Sequence, residues 1–276
     1  MMTFDPISQD PPKDKKFPST MVGLELDSHG ALLNGVLYIA SGEHPHPTML
    51  LLHGFPGHER NIDLAHIFRR AGWNVIIFHY RGAWGSGGIY RFAHILEDIQ
   101  VVLDYFRTPV VAAQYLVDPE KVIVAGHSLG GWAALMTAAQ GYVNAAASFA
   151  GVNMGVWVSQ LLENPELARP AFRDALLSEG IAPLAGINLD NEIDDMLANR
   201  VAWDATQHIE ALTKTKLLLV AAKRDTVVPV FDHHFPLAEA LKDSESIQSV
   251  LLDSDHVFSD VRIALAQTIL DWLKTL

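Results

Sequence analysis

A short apolar run, Val122-Ile123-Val124-Ala125, passes directly into Gly126-His127-Ser128-Leu129-Gly130-Gly131 and then into Trp132-Ala133-Ala134-Leu135-Met136-Thr137-Ala138-Ala139-Gln140. The first segment reads as a buried strand and the last as a strong helix former. A strand that enters a helix through Gly-x-Ser-x-Gly must turn sharply at the serine. The flanking glycines let the two elements pass close together, where a Cβ would collide. This pattern is a nucleophile elbow, with Ser128 at its apex as candidate nucleophile. Leu129 opens the helix, so its N–H points toward charge developing at a substrate and is a candidate oxyanion donor.

The rest of the chain supplies a matching frame. Val22–Leu26 and Ala31–Ile39 read as two strands joined by the turn Asp27-Ser28-His29-Gly30. Thr48–Leu52 and Val75–Phe78 read as buried strands with a helix, Asn61–Ala71, between them. A long helix is expected over Tyr90–Arg107, where Phe92, Ile95, Ile99, Val102, Leu103 and Phe106 fall on one face. After the elbow come strands at Ala145–Phe149, Lys216–Ala222 and Ser249–Leu252, with helices at His233–Leu241 and Val261–Leu276. Strands alternating with helices predict an α/β fold: a mostly parallel, eight-stranded sheet covered by helices on both faces. Ligands of such sheets bind at the carboxyl ends of the strands.

Between Gly151 and Thr215 the alternation slackens into helical patches near Val156–Leu162, Pro165–Ser178 and Asn191–Asn199. This is longer than one crossover needs. The division expected is a flexible tail at 1–18, a core at 19–150 and 208–276, and a helical lid at 151–207 inserted after the sixth strand. The insertion carries Trp157, Leu161, Leu162, Phe172, Met196 and Trp203. Trp157, Leu161, Phe172, Met196 and Trp203 are the candidate substrate-contacting side chains, and the alternative is that all of them pack on the domain.

Candidate chemistry gathers at strand ends. Thr48–Leu52 runs into His53-Gly54-Phe55-Pro56-Gly57, a turn that leaves backbone N–H groups unpaired. Phe55 N–H is the expected second oxyanion donor, and His53 is expected to hold the loop. Lys216–Ala222 is followed by Arg224-Asp225-Thr226, and Ser249–Leu252 by Asp253-Ser254-Asp255-His256. Taken singly an Asp or His in such a loop is more often a turn residue. In the order Ser128, Asp225, His256, each after a strand, they form a candidate nucleophile–acid–base set. Rivals are His233 and His234, read as surface residues, Asp232 as an N-cap, and Asp253 and Asp255 as turn residues. The strand ending at Phe149 is followed by Gly151-Val152-Asn153 and offers no carboxylate.

Composition narrows the partners. With 20 basic against 32 acidic residues the formal charge is −12, which argues against nucleic acid or an anionic membrane as partner. The absence of cysteine removes disulfides and a thiolate nucleophile. The N-terminus lacks the apolar core of a signal peptide, and nowhere do about 18 consecutive apolar residues occur. A soluble cytoplasmic protein is expected. Gly85-Ser86-Gly87-Gly88 lacks the residues of a phosphate loop. Thirteen histidines show no metal-binding spacing, and His44 and His46 are expected to be solvated. No metal and no cofactor are expected.

The set His53-Gly-Phe-Pro-Gly57, Gly126-His-Ser-Leu-Gly130, Arg224-Asp-Thr-Val-Val-Pro229 and Asp255-His-Val-Phe258 resembles the α/β-hydrolase superfamily. The loop His79-Tyr80-Arg81-Gly82-Ala83-Trp84-Gly85-Ser86-Gly87-Gly88 resembles one in its prolyl-oligopeptidase-like and feruloyl-esterase-like branches. Those relatives often carry Asp or Asn where His79 stands. The resemblance runs from about Val22 onward and implies acyl transfer through a Ser-His-Asp triad. Hydrolysis of a small carboxylic ester is the leading expectation, because a lone domain with an inserted lid suits small esters. A peptidase or amidase acting on short peptides is the alternative, and a non-catalytic binding module the third. Oligomeric state is not legible.

Overall fold

A computed structural model describes residues 4–276. Among these, eight strands form one sheet: β1 (Thr20–Ser28), β2 (Ala31–Ile39), β3 (His46–Leu52), β4 (Asn74–Phe78), β5 (Val117–His127), β6 (Ala145–Phe149), β7 (Lys216–Ala222) and β8 (Ile247–Leu252). Their order is β1-β2-β4-β3-β5-β6-β7-β8. β1 and β2 form an antiparallel hairpin, β2 pairs antiparallel with β4, and every other pairing is parallel. The hairpin closes through His29 and Gly30, both at positive φ (52° and 83°), the backbone a two-residue turn between twisted strands requires.

The helices are α1 (Ile62–Arg70), α2 (Ile95–Arg107), α3 (Pro109–Tyr115), α4 (Leu129–Ala139), α5 (Met154–Ser159), α6 (Pro165–Ser178), α7 (Leu189–Ala198), α8 (Ile209–Leu212), α9 (Val230–His233), α10 (Phe235–Ala240) and α11 (Arg262–Leu273). Side chains alternate across the sheet, so each central strand feeds two cores. Leu50, Leu52, Ile76, Val122 and Val124 pack with α2 and α4, whereas Met49, Leu51, Val75, Ile77 and Ile123 pack with α1 and α11. The inward stripe of α2, Ile95, Ile99, Val102, Leu103 and Phe106, is fully buried. Each such side chain contributes about 1.5–3 kcal/mol.

Several expectations need correction. The helix expected from Tyr90 begins with a 3-10 turn at Phe92–His94 and is α-helical only from Ile95. Arg91, just before the turn, is extended, and partners from segment 151–207 take the neighbouring N–H groups: Tyr90 N–H bonds the Ala185 carbonyl at 3.0 Å and Phe92 N–H the Glu192 carboxylate at 2.8 Å. Tertiary bonds replace the first helical turn. α3 has no counterpart in the sequence reading, although Thr108 followed by Pro109 is a helix-start signal. His46 is buried at the start of β3 instead of solvated. Asp232 lies inside α9 and Pro229 takes the N-cap position. His233 is buried, its Nδ1 accepting the N–H of Asn153 at 3.1 Å.

The segment 151–207 contains α5, α6 and α7 and is tied to the loop after β4. Ala83 bridges Leu184, Trp84 N–H bonds the Pro183 carbonyl at 3.0 Å, and Ala185 N–H bonds the Gly82 carbonyl at 2.7 Å. Arg91 pairs with Asp195 of α7, and its Nε lies 3.2 Å from Glu192. At the other end of the chain Arg70 bonds the carbonyls of Pro6 and Ile7 at 2.6 and 3.4 Å. Among the described residues no helix is long and apolar enough to cross a membrane.

Candidate active site

β5 ends at His127 and α4 begins at Leu129, so the whole turn is one residue, Ser128. Its φ of 56° with ψ of −118° is a strained conformation for a residue with a side chain. The surroundings enforce it. Ser128 N–H bonds the Phe149 carbonyl at 3.0 Å and its carbonyl accepts from Gly131 N–H at 2.9 Å. A Cβ on Gly126 would lie 2.1 Å from the Gly130 oxygen, and one on Gly130 would lie 2.5 Å from the Leu52 oxygen. Strand, helix and the end of β3 therefore meet at backbone contact, which brings the 53–57 loop against Ser128.

Asp225 and His256 come together from the ends of β7 and β8. His256 Nδ1 is 2.7 Å from Asp225 Oδ2, and the other carboxylate oxygen accepts N–H bonds from Val227 at 2.9 Å and Val228 at 2.7 Å. The carboxylate is buried and fully used, and it fixes the imidazole with its Nδ1 proton toward Asp225. His256 Nε2 has no hydrogen-bond partner among the described residues, and no bond within 3.5 Å joins it to Ser128. Both residues line the same cavity. Asp253 pairs with Arg224 at the surface, and Asp255 is spent on the N–H and hydroxyl of Ser259.

Phe55 and Leu129 also line that cavity, and neither N–H has an acceptor among the described residues. Two unpaired donors lining the cavity of a serine meet the chemical requirement for stabilising a negative oxygen. The loop that carries Phe55 is braced from three sides. His53, fully buried, bonds the Gly54 carbonyl through Nδ1 at 2.7 Å. Tyr80 donates its hydroxyl to the His53 carbonyl at 3.0 Å, and the Trp84 indole N–H donates to the Pro56 carbonyl at 2.7 Å. Burial pushes His53 down to about 3, with the neighbouring His79 adding to the effect, so its ring is neutral. Tyr80 and Trp84 are props, and neither is among the expected site residues. Their signal was the His79–Gly88 motif itself. Arg81 explains why that loop stays put: it is paired with Glu97 and, at 2.6 Å, with the buried Asp98, which also accepts from Ser28.

The cavity measures about 350 Å³. Its walls include Phe55, Phe92, Leu129, Val152, Trp157 and Leu176, with Glu59 and Glu179 among the polar groups. Of the five side chains of segment 151–207 expected against substrate, Trp157 lines the cavity, its ring 4.6 Å from that of Phe172. Leu161, Phe172, Met196 and Trp203 are instead buried in the core cluster that includes α4. Trp203 shows the reason: it packs on Trp132 at 5.3 Å and accepts that indole's N–H on its carbonyl, so it serves the junction with α4. Leu176 and Ala175 of α6 occupy the wall in their place. Among the described residues no three His, Cys, Asp or Glu side chains are grouped to hold a metal ion.

The sequence model of the Alpha/beta hydrolase family matches residues 49–267. A curated relative, the quorum-quenching protein AidA of Acinetobacter baumannii (strain MDR-ZJ06), is 29% identical over 126 residues. That stretch is 44% of this chain and only 40% of the relative, so the match spans less than half of either. Among solved structures, Est1E from Butyrivibrio proteoclasticus with ferulic acid bound superposes with a TM-score of 0.66 at 17% identity, covering 91% of this chain and 98% of that one. The acylaminoacyl peptidase of Pyrococcus horikoshii gives 0.66 at 15% identity, covering 93% of this chain and 41% of that one. At these identities the structures speak for the fold.

Proposed function

The chain belongs to the Alpha/beta hydrolase family, and on that premise we propose that it is a serine hydrolase that cleaves carboxylic esters of small or medium acyl groups. The observation that carries the reading is the His256–Asp225 pair. Its imidazole is oriented by a buried, fully bonded carboxylate and borders the cavity that Ser128 also lines.

The chemistry then runs in two halves. His256 accepts the Ser128 hydroxyl proton while Ser128 Oγ bonds to the acyl carbon. The carbonyl oxygen takes the electron pair and is met by the N–H groups of Phe55 and Leu129, donors that need no reorganisation. Collapse of this intermediate breaks the bond to the alcohol, which leaves with the proton from His256. Water repeats the sequence on the acyl-enzyme, returning its proton through His256 and releasing the acid. Asp225 stays ionised throughout and stabilises the imidazolium.

The size of the cavity supports a small or medium acyl group. About 350 Å³ lies at the lower end of small-molecule sites, roughly 300–1,000 Å³, and its walls are largely aromatic and aliphatic. The segment 151–207 acts as a lid that contributes Trp157 and Leu176 to the acyl wall. The test is a panel of 4-nitrophenyl esters and anilides with the wild type and Ser128→Ala. Ester turnover that falls by about 10³–10⁶-fold in the folded variant is expected. Anilide turnover exceeding ester turnover would move the protein to the peptidase class, and a variant within tenfold of wild type would remove the serine mechanism.

A further inference from the structure

His127 stands beside the candidate nucleophile in the chain and touches the candidate base in space. Its ring is buried, stacked near Phe149 at 6.1 Å and tilted against the His256 ring at 4.7 Å. Its Nε2 lies 2.8 Å from the main-chain carbonyl oxygen of His256, a contact that spans 129 residues of sequence. A carbonyl only accepts, so Nε2 carries the hydrogen and Nδ1 is bare. Nδ1 is buried with no partner among the described residues. The bond through Nε2 is thus the ring's one hydrogen bond to the described residues.

That other bond ties the base to the elbow. Asp225 holds His256 by its side chain, which sets the orientation of the ring. The loop that carries His256 is otherwise held at its flanks, by Arg224 N–H on the Ser254 carbonyl at 2.9 Å and by Arg262 on the Val257 carbonyl at 3.1 Å. The bond to the backbone of residue 256 itself comes from the residue next to Ser128. We infer that His127 is a positioning residue, which fixes the distance between the His256 imidazole and Ser128 Oγ by anchoring the His256 backbone to the nucleophile's own strand. The inference rests on the serine-hydrolase reading above. Burial pushes His127 down to about 3, with the adjacent His256 adding to the effect. The ring therefore remains a neutral donor and adds no charge beside the imidazolium that forms at His256.

The test compares two amides. In His127→Gln the side-chain nitrogen reaches about as far as Nε2 and keeps the donor. In His127→Asn the nitrogen stops near the Nδ1 position and the bond is lost. Turnover of 4-nitrophenyl acetate and the rate of labelling by a fluorophosphonate are measured for both, alone and in a His256→Ala background. Misplacement of a reacting group by about 1 Å costs on the order of 10²-fold, so His127→Asn is expected to lose about 10- to 100-fold in kcat with KM within about threefold. His127→Gln is expected to keep about a third or more of the wild-type rate. In the His256→Ala background His127→Asn is expected to cost less than about twofold, because the base it positions is gone.

Equal rates for the Asn and Gln variants would overturn the inference. So would a loss in the His256→Ala background as large as in the wild type, since His127 would then act on the elbow and not through the base. Should either variant fail to fold, nitrogen NMR of the wild type decides: Nε2 protonated and Nδ1 bare from pH 5 to 8 is expected, and the opposite tautomer or a titrating ring overturns it. A wild type that is neither labelled nor active removes the hydrolase reading and this inference together. A labelled wild type with indistinguishable Asn and Gln variants removes this inference alone.

Discussion

Tyr80 donates its hydroxyl to the main-chain carbonyl of His53 at 3.0 Å, and so joins the loop after β4 to the loop after β3. Both groups are buried, and the carbonyl belongs to the segment that presents Phe55 N–H to the cavity. Tyr80→Phe leaves that carbonyl without its donor, at a cost of about 1–3 kcal/mol. The expected outcome is a lower urea midpoint together with a fall of about tenfold in kcat and little change in KM, as befits a group that steadies an oxyanion donor. Trp84→Phe removes the parallel bond to the Pro56 carbonyl and is expected to act in the same direction. An unchanged kcat in both folded variants would show that the loop needs neither prop.

Segment 151–207 divides its apolar side chains between cavity and core. Trp157 lines the cavity, whereas Met196 is fully buried in the core. Trp157→Ala is expected to move the acyl-length optimum of 4-nitrophenyl esters to longer chains, each added buried CH₂ contributing about 0.8 kcal/mol. Met196→Ala is expected to destabilise the fold by about 2–5 kcal/mol and leave the optimum where it was. The measurement is kcat/KM across the ester series, alongside thermal melting. A shift caused by Met196→Ala and not by Trp157→Ala would contradict the assignment of the wall.

Glu192 predicts a pH dependence of stability. It is fully buried in α7, accepting from Phe92 N–H at 2.8 Å, with Arg91 Nε 3.2 Å away. Burial outweighs both contacts and pushes the carboxyl from its usual 4.5 up to about 7. Between those values the folded chain holds a proton that the unfolded chain has released. The contribution of Glu192 is thus complete below about 4.5 and is lost as pH rises to about 7, a change of about 3 kcal/mol. Glu192→Gln stays neutral, so the wild type is expected to lose stability relative to the variant between pH 5 and pH 8. Parallel urea midpoints across that range would contradict the assignment.

Much of the frame is legible because it depends on local pattern. The central strands are short apolar runs, and β6 and β7 begin and end where those runs do. The elbow is legible because its glycines must sit two positions either side of the serine, a requirement of backbone contact at Gly126 and Gly130. Asp225 and His256 stand out by following strands in chain order, and the structure brings them to 2.7 Å. What escapes is whatever one loop does to another. His127, Tyr80 and Trp84 each bond a main-chain carbonyl far along the sequence, and carbonyls leave no mark in a sequence. The start of α2 is lost for the same reason, since Glu192, 100 residues further on, takes the Phe92 N–H. Apolar content likewise cannot separate a side chain facing a cavity from one facing a core, and Leu161, Phe172, Met196 and Trp203 face the core.

Activation of Ser128 as a nucleophile by His256 and Asp225 is tested by covalent labelling with a fluorophosphonate followed by peptide mapping. The expected result is a single adduct on Ser128 of the wild type, none in Ser128→Ala, and labelling slowed by about 10³-fold or more in His256→Ala and Asp225→Asn. An adduct at another residue, or Ser128 labelled at the wild-type rate in the folded His256→Ala protein, would contradict it.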